Sequence, residues 1–413
     1  MGFAKTAYCR AFQSVMKVGN YFLPFRTPET LRGAGCVERL PEEMKKRNVR
    51  RPLLVTDSGL MKLGLPQGLL RAMEKAGMPC TLFCDIQPNP TDENVEAGFR
   101  VFRESGCDAI VAMGGGSPMD CAKAIAARNA HPGRSIAQLQ GVITVHKRVV
   151  PLWAVPTTAG TGSETTVAAV ITVAETRHKA SINDPVLMPR YAVLDPELTV
   201  GLPPHITATT GLDALCHAVE SYLNHTYCTG LELDYARRAV RLVYDNLYPV
   251  YRDGSDLEAR QNMQLAAFYA GRSFTRGCVG YIHAVGHTLS GLYGLPHGLA
   301  MSVLMPHVLR QYGSAAEKRL GELAEVCGIM GGSDREKADR FIAWIEGMKE
   351  KTGIPEGLDC IRPEDVPRIV RWADREANPL YPVPQIWGEK ELRTLLDTVV
   401  QAGGKRLPRS QTA

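Results

Sequence analysis

Five side chains in two stretches of the chain have the types and the spacing of a metal site. Asp213 and His217 are four residues apart, His283 and His287 repeat that spacing, and His297 follows ten residues later. On an α-helix, side chains four positions apart lie on the same face. One carboxylate and three of these four imidazoles would form a set of ligands suited to a borderline divalent cation, with one coordination position left open for substrate.

A single Asp/His pair at this spacing is more often a solvated helix face, so the context of these residues matters. Three of the ten histidines of the chain fall between residues 283 and 297. The neighbours of the polar residues are apolar, which indicates mostly buried helices: Leu212, Leu215, Val219, Ile282, Val285 and Leu289. A buried polar group needs a partner, and a shared metal would supply one to several of these side chains at once.

The composition limits the classes of protein that the chain can belong to. Its 413 residues, 45% of them hydrophobic, are enough for one large core or two domains. The net charge of +5 comes from 48 basic and 43 acidic residues without a long basic run, which gives no argument for nucleic-acid binding. Eleven dispersed cysteines without a CxxC pair indicate free thiols in a reducing cytosol. No stretch approaches eighteen consecutive apolar residues, so we expect a cytoplasmic protein without a membrane span.

The first half of the chain alternates short apolar runs with amphipathic stretches. This alternation predicts an α/β domain over residues 26–203, with a parallel sheet covered by helices on both faces. The predicted strands are 52–56, 80–84, 109–113, 151–155, 168–173 and 191–194, and the predicted helices are 67–76, 91–105 and 118–128.

The second half contains apolar stripes at helical spacing and no clear strand. We therefore predict an all-α domain over 204–403, with the boundary at Leu202-Pro203-Pro204, and a disordered tail over 404–413. The predicted helices are 207–223, 230–247, 257–270, 282–293, 315–327, 337–352, 363–377 and 390–402.

Residues 1–25 form a basic amphipathic N-terminal extension. Apolar residues recur at helical spacing, and no acid occurs before Glu29. Three interpretations remain open. The helix packs on its own subunit or on a neighbour; it is a targeting segment that docks the protein into a larger assembly; or it contacts a membrane surface.

A glycine-rich segment that follows a predicted strand is placed to bind phosphate. In Gly114-Gly115-Gly116-Ser117-Pro118-Met119-Asp120 the glycines allow backbone N–H groups to approach a phosphate, and the helix that follows adds its dipole. Ser117 suits the N-cap, and Asp120 suits the acid of a capping box. A plain tight turn with a capped helix is the alternative interpretation.

Two further strand ends carry polar residues. The segment from Pro156 to Glu164, PTTAGTGSE, offers small hydroxyl residues and glycines that could line a crevice. Asp57 ends the first predicted strand, where an acid can accept hydrogen bonds from ribose hydroxyls; it could equally be an ordinary turn residue.

Taken together, these segments resemble the iron-containing (group III) alcohol dehydrogenases. The similarity extends from Val55 to Pro384, and residues 1–25 lie ahead of it. The resemblance implies that Asp213, His217, His283 and His297 bind the metal. It places His287 beside the substrate and nicotinamide as a catalytic residue, not as a ligand. It implies cofactor contacts from nine residues: Asp57, Asn89, Gly115, Gly116, Ser117, Thr157, Thr158, Thr161 and Lys179.

The activity implied is hydride transfer between NAD(H) and a primary or small alcohol, giving the aldehyde or ketone. The fold implied is a Rossmann-like nucleotide domain followed by a helical metal domain, and Asp57 favours NAD(H) over NADP(H). One divalent metal is expected, Fe²⁺ ahead of Zn²⁺, although the ligand set accepts either. The chain is expected to act on a small alcohol or aldehyde as a homodimer or higher homo-oligomer.

Three alternatives stay open at this point. A dehydroquinate synthase-like relative would need basic residues around the site for a phosphorylated acid, and a glycerol dehydrogenase-like relative fits the PTTAGTGSE segment less well. A protein that keeps the fold for assembly and has lost activity is the third, and the complete ligand set argues against it. The sequence does not identify the alcohol.

Overall fold

The structure is a computed structural model that describes residues 3–175 and 178–404. Of His178, Lys179 and Ala180 it describes the backbone only, and the predicted tail lies outside the described residues from 405 onward. Contacts divide the chain into two compact units. The nucleotide unit comprises Pro24–Leu202 and Gly254–Thr275; the helical unit comprises the residues up to Leu23, Pro203–Asp253 and the chain from Arg276 onward.

A six-stranded parallel sheet forms the centre of the nucleotide unit. The strands of this unit are β1 (Glu29–Arg32), β2 (Pro52–Val55), β3 (Thr81–Phe83), β4 (Ala109–Gly114), β5 (Gly141–Val142), β6 (Leu152–Pro156), β7 (Ala168–Val173), β8 (His178–Asn183) and β9 (Tyr191–Leu194). The strand order of the central sheet is β1-β9-β6-β4-β2-β3, and a second sheet has the order β5-β8-β7.

Alternate residues of the central strands enter two separate cores, one on each face of the sheet. Ile110 and Ala112 belong to one core, while Val111 and Met113 belong to the other. A parallel strand that is covered on both faces is apolar along its whole length. That is why β2, β4 and β6 appear in the sequence as continuous hydrophobic runs.

The helices of the nucleotide unit connect these strands and cover them. They are α2 (Leu40–Lys45), α3 (Ser58–Lys62), α4 (Gln67–Lys75), α5 (Asp92–Glu104), α6 (Gly116–Ala130) and α7 (Ile136–Leu139), and most of α10 (Leu257–Gly277) also groups with this unit.

Every described element of the helical unit is a helix. Besides α1 (Phe3–Phe22), these are α8 (Pro204–Leu223), α9 (Gly230–Arg252), α11 (Tyr281–Tyr293), α12 (His297–Tyr312), α13 (Glu317–Val326), α14 (Asp334–Lys351), α15 (Val366–Ala377) and α16 (Glu389–Gly404), with short 3₁₀ segments between some of them. Helix α12 packs on α8 and on α11, so these three helices meet.

The sequence pattern misses seven elements: the short α2, α3, α7 and β5, and also α12, β1 and β8. Helix α12 has no amphipathic stripe to detect, because most of its residues are buried, and Pro306 lies inside it. Strand β1 is short and mostly exposed at the edge of the sheet, so it lacks an apolar run. Strand β8 is polar over much of its length. The predicted α/β fold with an all-helical second part is confirmed.

Helix α1 packs on its own chain. Lys5 pairs with Asp374 at 2.5 Å, and Arg10 donates to the carbonyl oxygens of Val383 and Pro384 at 2.9 Å each. Of the three interpretations of the extension, the structure shows this contact with its own subunit. Among the described residues, no helix is long and apolar enough to cross a membrane.

Candidate active site

Three helices of the helical unit bring the four predicted metal ligands together. Asp213 and His217 lie one turn apart on α8, His283 lies in the first turn of α11, and His297 begins α12. Their ligand atoms all lie within 4.8 Å of one another. Asp213, His217 and His283 are buried, while His297 is partly exposed. The cluster therefore opens on the side of His297.

The carboxylate of Asp213 is the centre of this cluster. Its Oδ1 lies 3.4 Å from His297 Nε2, 3.7 Å from His283 Nε2 and 3.9 Å from His217 Nδ1. These separations are too long for good hydrogen bonds. Within the described part of the chain, Asp213 Oδ1 and His283 Nε2 are buried without a hydrogen-bond partner. Because burying such atoms costs free energy, their convergence fits a divalent cation bound among them.

Burial and charge set the protonation of the ligands. Burial lowers the pKa of His217 to about 3 and also lowers the pKa of His297. For Asp213 burial acts in the opposite direction, but the neighbouring His217 and His297 hold its pKa well below the usual range. Neutral imidazoles and an ionised carboxylate are the states that coordinate a metal.

His283 has a different partner from the other ligands. Its Nδ1 lies 2.5 Å from Glu220 Oε2, and Glu220 Oε1 accepts the backbone N–H of Ile282 at 2.8 Å. Burial would lower the pKa of His283, but the carboxylates of Glu220 and Asp213 together outweigh it and raise the pKa to about 9. A cation that binds His283 Nε2 must therefore displace a proton. A Cβ at Gly280 would lie 2.7 Å from Glu220 Oε1, so this carboxylate requires glycine there.

Sequence reasoning missed Glu220. It lies seven residues after Asp213 on the same helix, and this spacing places both on one face. A ligating histidine generally donates its second ring N–H to a carboxylate or carbonyl. A search of the helix for such a partner would have found it.

His287 lies beside the ligands and has its own carboxylate partner. Its Nδ1 is 2.7 Å from Glu376 Oε1, and the Tyr381 hydroxyl donates to the same oxygen at 3.1 Å. The His287 ring is stacked on that of His297, with ring centroids 5.2 Å apart. Glu376 and Tyr381 were not predicted, since they lie about ninety residues further along the chain.

In the nucleotide unit, the glycine loop and the threonine loop lie side by side. They follow β4 and β6, which are neighbours in the sheet, and Thr157 N donates to Gly114 O at 3.1 Å. A Cβ at Gly115 would lie 3.5 Å from Thr158 Oγ1, and one at Gly116 would lie 3.4 Å from Thr161 Cγ2.

Two further predicted cofactor residues adjoin these loops. The backbone N–H of Asn89 donates to Ser117 Oγ at 3.3 Å, and Asn89 has a φ of 60°. Asp57 lies at the end of β2, where its Oδ1 accepts the N–H of Leu60 at 2.9 Å and caps α3. The side chain of Lys179 lies outside the described residues.

The predicted capping of α6 is wrong. The helix begins at Gly116, with Gly115 as an N-cap that has no side-chain bond. Asp120 instead accepts the Ser163 hydroxyl at 2.9 Å and the N–H of Val170 at 3.1 Å, so its carboxylate joins α6 to the threonine loop and to β7.

A buried lysine that sequence reasoning missed joins the same elements. Lys123 donates to Ser163 Oγ at 2.9 Å, Thr166 Oγ1 at 2.8 Å and Ala168 O at 2.9 Å. Burial lowers its pKa to about 8 and raises the pKa of Glu164 to about 7. These contacts fix the threonine loop against α6.

Comparison with known proteins identifies relatives over almost the whole chain. Residues 27–196 match the family model described as iron-containing alcohol dehydrogenase, and residues 207–400 match that of the C-terminal part of the Fe-containing alcohol dehydrogenase family. The NAD-dependent methanol dehydrogenase of Bacillus methanolicus is 38% identical over 356 residues, which are 85% of this chain and 92% of that protein.

Two further comparisons agree with this. The 1,3-propanediol dehydrogenase of Klebsiella pneumoniae is 37% identical over 369 residues, which are 88% of this chain and 95% of that protein. A crystal structure of 1,3-propanediol oxidoreductase superposes with a TM-score of 0.87 at 35% identity, covering 92% of this chain and all of that one.

Proposed function

This chain belongs to the iron-containing alcohol dehydrogenase family, and we propose that it interconverts a short primary alcohol and its aldehyde at the site of Asp213, His217, His283 and His297. As a member of that family it is an NAD-dependent, metal-dependent alcohol dehydrogenase. The observation that carries the assignment to this site is the convergence of one buried carboxylate and three imidazoles from three helices.

The cofactors supply the reactive groups. A divalent cation lowers the pKa of an alcohol hydroxyl as a Lewis acid, and NAD accepts the hydride. The protein has to keep the four metal ligands deprotonated and bind the nucleotide. It also has to accept the proton of the alcohol hydroxyl and release it to water. The low pKa values of Asp213, His217 and His297 serve the first of these tasks.

We assign to His287 the role of accepting the hydroxyl proton of the alcohol. Its Nδ1 is held by Glu376, which leaves Nε2 as the ring atom available to accept the proton of the alcohol. An imidazole nitrogen that carries no hydrogen is an acceptor, so Nε2 can take up the proton and release it again. The His287 side chain is 39% exposed, which gives the proton a route to water.

The glycine and threonine loops are assigned to the cofactor phosphates and the nicotinamide side. Gly115 and Gly116 offer backbone N–H groups where α6 begins, and an anion is favoured at a helix N-terminus. We assign further cofactor contacts to the hydroxyl groups of Ser117, Thr157, Thr158 and Thr161, and also to Asn89 and Lys179.

Asp57 is assigned to the adenosine ribose, since one carboxylate can cap α3 and accept a ribose hydroxyl through its second oxygen. A negative charge there disfavours the 2′-phosphate of NADP(H). The expected preference is therefore NAD(H).

Two glutamates lie against histidines of the candidate active site. Glu220 bonds His283 and Glu376 bonds His287. This negative surrounding favours a neutral alcohol over the phosphorylated acid of a dehydroquinate synthase-like reaction. Relatives named for methanol and for 1,3-propanediol support a short alcohol or diol as substrate. Fe²⁺ is proposed ahead of Zn²⁺, although the donors accept both.

We also propose a cytoplasmic homodimer or higher homo-oligomer, in which α1 is the element that docks to an assembly. We further propose three functional parts of the chain, an extension over 1–25, a nucleotide domain over 26–203 and a metal domain over 204–403; by contacts, residues 254–275 group with the nucleotide unit.

A substrate panel tests the proposed reaction. Protein loaded with Fe²⁺ without oxygen is assayed by NADH absorbance with methanol, ethanol, 1,3-propanediol, glycerol and the matching aldehydes, and then with NADP⁺. We expect turnover with short primary alcohols or diols and a preference for NAD⁺. A preference for glycerol would favour the glycerol dehydrogenase-like alternative, and no turnover with any substrate would favour an assembly role.

A further inference from the structure

Among residues 3–175 and 178–404, helix α1 contacts its own chain through one face. Its buried residues are Cys9, Gln13 and Asn20. The amide of Gln13 donates to the carbonyl oxygens of Pro379 and Tyr381 at 3.0 and 2.9 Å. At the end of the helix Asn20 O accepts from Arg276 at 3.0 Å. Bonds at both ends and in the middle hold the helix along its length.

The opposite face of α1 is apolar and exposed. Exposure reaches 61% for Tyr8, 72% for Val15, 62% for Val18 and 77% for Phe22. With the exposed Ala4 and Ala11 these residues follow one another at intervals of four and three: Ala4, Tyr8, Ala11, Val15, Val18 and Phe22. Such a 3.5-residue repeat is the pattern of a coiled-coil seam, whose a and d positions face a second helix. We call these six residues the α1 seam.

The α1 seam lies in a part of the chain that precedes the region matched by the family model. The family match begins at residue 27, after α1 has ended. Large apolar side chains in such a row are uncommon on the surface of a soluble protein unless a partner covers them. The alcohol dehydrogenase reaction therefore gives no reason for the seam.

We propose that the α1 seam pairs antiparallel with the α1 seam of a second copy of this chain. In this arrangement residue 4 faces residue 22, residue 8 faces residue 18, and residue 11 faces residue 15. Each layer then sets a smaller side chain against a larger one: Ala4 on Phe22, Val18 on Tyr8 and Ala11 on Val15. Facing positions fill a core best when large and small side chains alternate.

A parallel pair fills the seam less well. It would place Phe22 on Phe22 and Tyr8 on Tyr8, and it would leave voids at Ala4 and Ala11. Because tightly packed interiors tolerate neither voids nor crowding, the volumes favour the antiparallel pair. A two-fold axis between the helices makes this contact self-complementary and closed.

The charges of α1 permit self-pairing despite its basic composition. Lys5 is paired with Asp374, and Arg10 donates to Gln13 and to two backbone carbonyls. Lys17 is exposed but lies beside the seam, not in it. In the antiparallel pair the two Lys17 residues are about 12 Å apart along the axis, near the screening length of physiological salt.

The same contacts argue against an anionic lipid surface as the binding partner of the α1 seam. A helix that binds such a surface directs several free lysines and arginines at the lipid phosphates. In α1 two of the three basic side chains are held by the protein itself. Helix α1 is about 30 Å long. The surface area buried by a pair of such helices is therefore at the low end of the range for specific protein interfaces, so we expect the association to depend on protein concentration.

Sedimentation velocity of the full chain tests the pairing. Wild type is compared with Val15→Glu/Val18→Glu in the seam and with Lys17→Glu beside it, from about 1 to about 200 µM, a range that brackets micromolar affinity. We expect the mass of wild type and of Lys17→Glu to double across this range. The seam variant should keep its low-concentration mass and an unchanged kcat/KM, because the replaced side chains are exposed.

Three outcomes would overturn the proposal. The first is equal mass for wild type and the seam variant at every concentration. The second is doubling that persists in the seam variant. The third is a wild type that stays at one mass but pellets with phosphatidylserine vesicles, and loses this with Val15→Glu/Val18→Glu, since the occupant would then be a lipid surface.

Cross-linking tests the orientation. Ala4→Cys and Phe22→Cys are made separately, mixed and oxidised mildly, with wild type as the background for native thiols. An antiparallel pair gives a disulfide between residue 4 of one copy and residue 22 of the other. Disulfides only between like positions, or none above background, would contradict the antiparallel pair.

Discussion

Glu220 illustrates at the residue scale how the site depends on more than its ligands. It holds His283 Nδ1 at 2.5 Å, which turns Nε2 towards Asp213. A carboxylate in this position also makes the imidazole a stronger donor to a metal. The four ligands alone therefore do not define the affinity of the site.

The variant Glu220→Gln is predicted to bind the metal about ten- to a hundredfold more weakly, because the ring is less firmly oriented and less basic. Competition with a chelator of known affinity measures this loss. Glu389→Gln replaces an exposed glutamate and should match wild type. Equal affinities for all three proteins would show that Glu220 does not support His283.

The raised pKa of Glu164 predicts a contribution to the free energy of unfolding that decreases as pH rises towards neutrality. Burial raises its pKa to about 7 from the ordinary 4.5. Between these values the folded chain binds more protons than the unfolded chain, so stability falls as pH rises.

We expect Glu164→Gln to remove this slope, which amounts to about 3 kcal/mol in the free energy of unfolding between pH 4.5 and 7. Urea unfolding at several pH values, without cofactor, measures the difference from wild type. Glu104→Gln, at an exposed glutamate, should retain the wild-type slope. A Glu164→Gln slope equal to that of wild type would mean that Glu164 is ionised throughout.

The metal ligands could be predicted because each pair is local. Asp213 and His217 are four residues apart, and the apolar context indicated burial. The carboxylate partner of His287 could not be found in that way. Glu376 is 89 residues from His287, and only the packing of α15 on α11 brings the two together.

At the scale of elements, the cofactor loops depend on one close approach between α10 and the threonine loop. A Cβ on Gly271 would lie 2.1 Å from Thr165 Oγ1 and 2.6 Å from Gly162 O. Gly162 also has a φ of +60°, which few side chains adopt. Glycine at both positions allows the backbones to touch.

The substitution Gly271→Ala should push the threonine loop away from α10. We predict a loss of about ten- to a hundredfold in kcat/KM for NAD⁺, because a shift of about 1 Å in a positioning element has an effect of this size. Gly133→Ala is the control, since a Cβ there meets no atom within 4 Å. Unchanged NAD⁺ kinetics in Gly271→Ala would show that the loop does not need this contact.

Elements were predictable where their periodicity is strong. Helix α5 was expected over 91–105 and spans Asp92–Glu104, and α4 was equally close. Helix α12 was missed because a helix buried on nearly all sides has no polar stripe. It carries His297, so the ligand was identified while the element that positions it was not.

At the scale of the whole molecule, the α/β fold followed from the alternation of strands and helices. Local patterns do not encode which distant segments pack together. The grouping of residues 254–275 with the sheet, and the docking of α1 along residues 374–384, both depend on long-range contacts.

The most direct test of the account measures metal content and turnover on the same samples. Wild type, His283→Ala and His205→Ala, an exposed histidine of α8, are purified without oxygen, stripped, reloaded with Fe²⁺ or Zn²⁺ and assayed with NAD⁺. We predict one metal per chain and metal-dependent NADH formation in wild type and His205→Ala, with both lost in His283→Ala. Turnover that survives metal removal, or a His283→Ala protein that keeps its metal and activity, would contradict the assignment of the site.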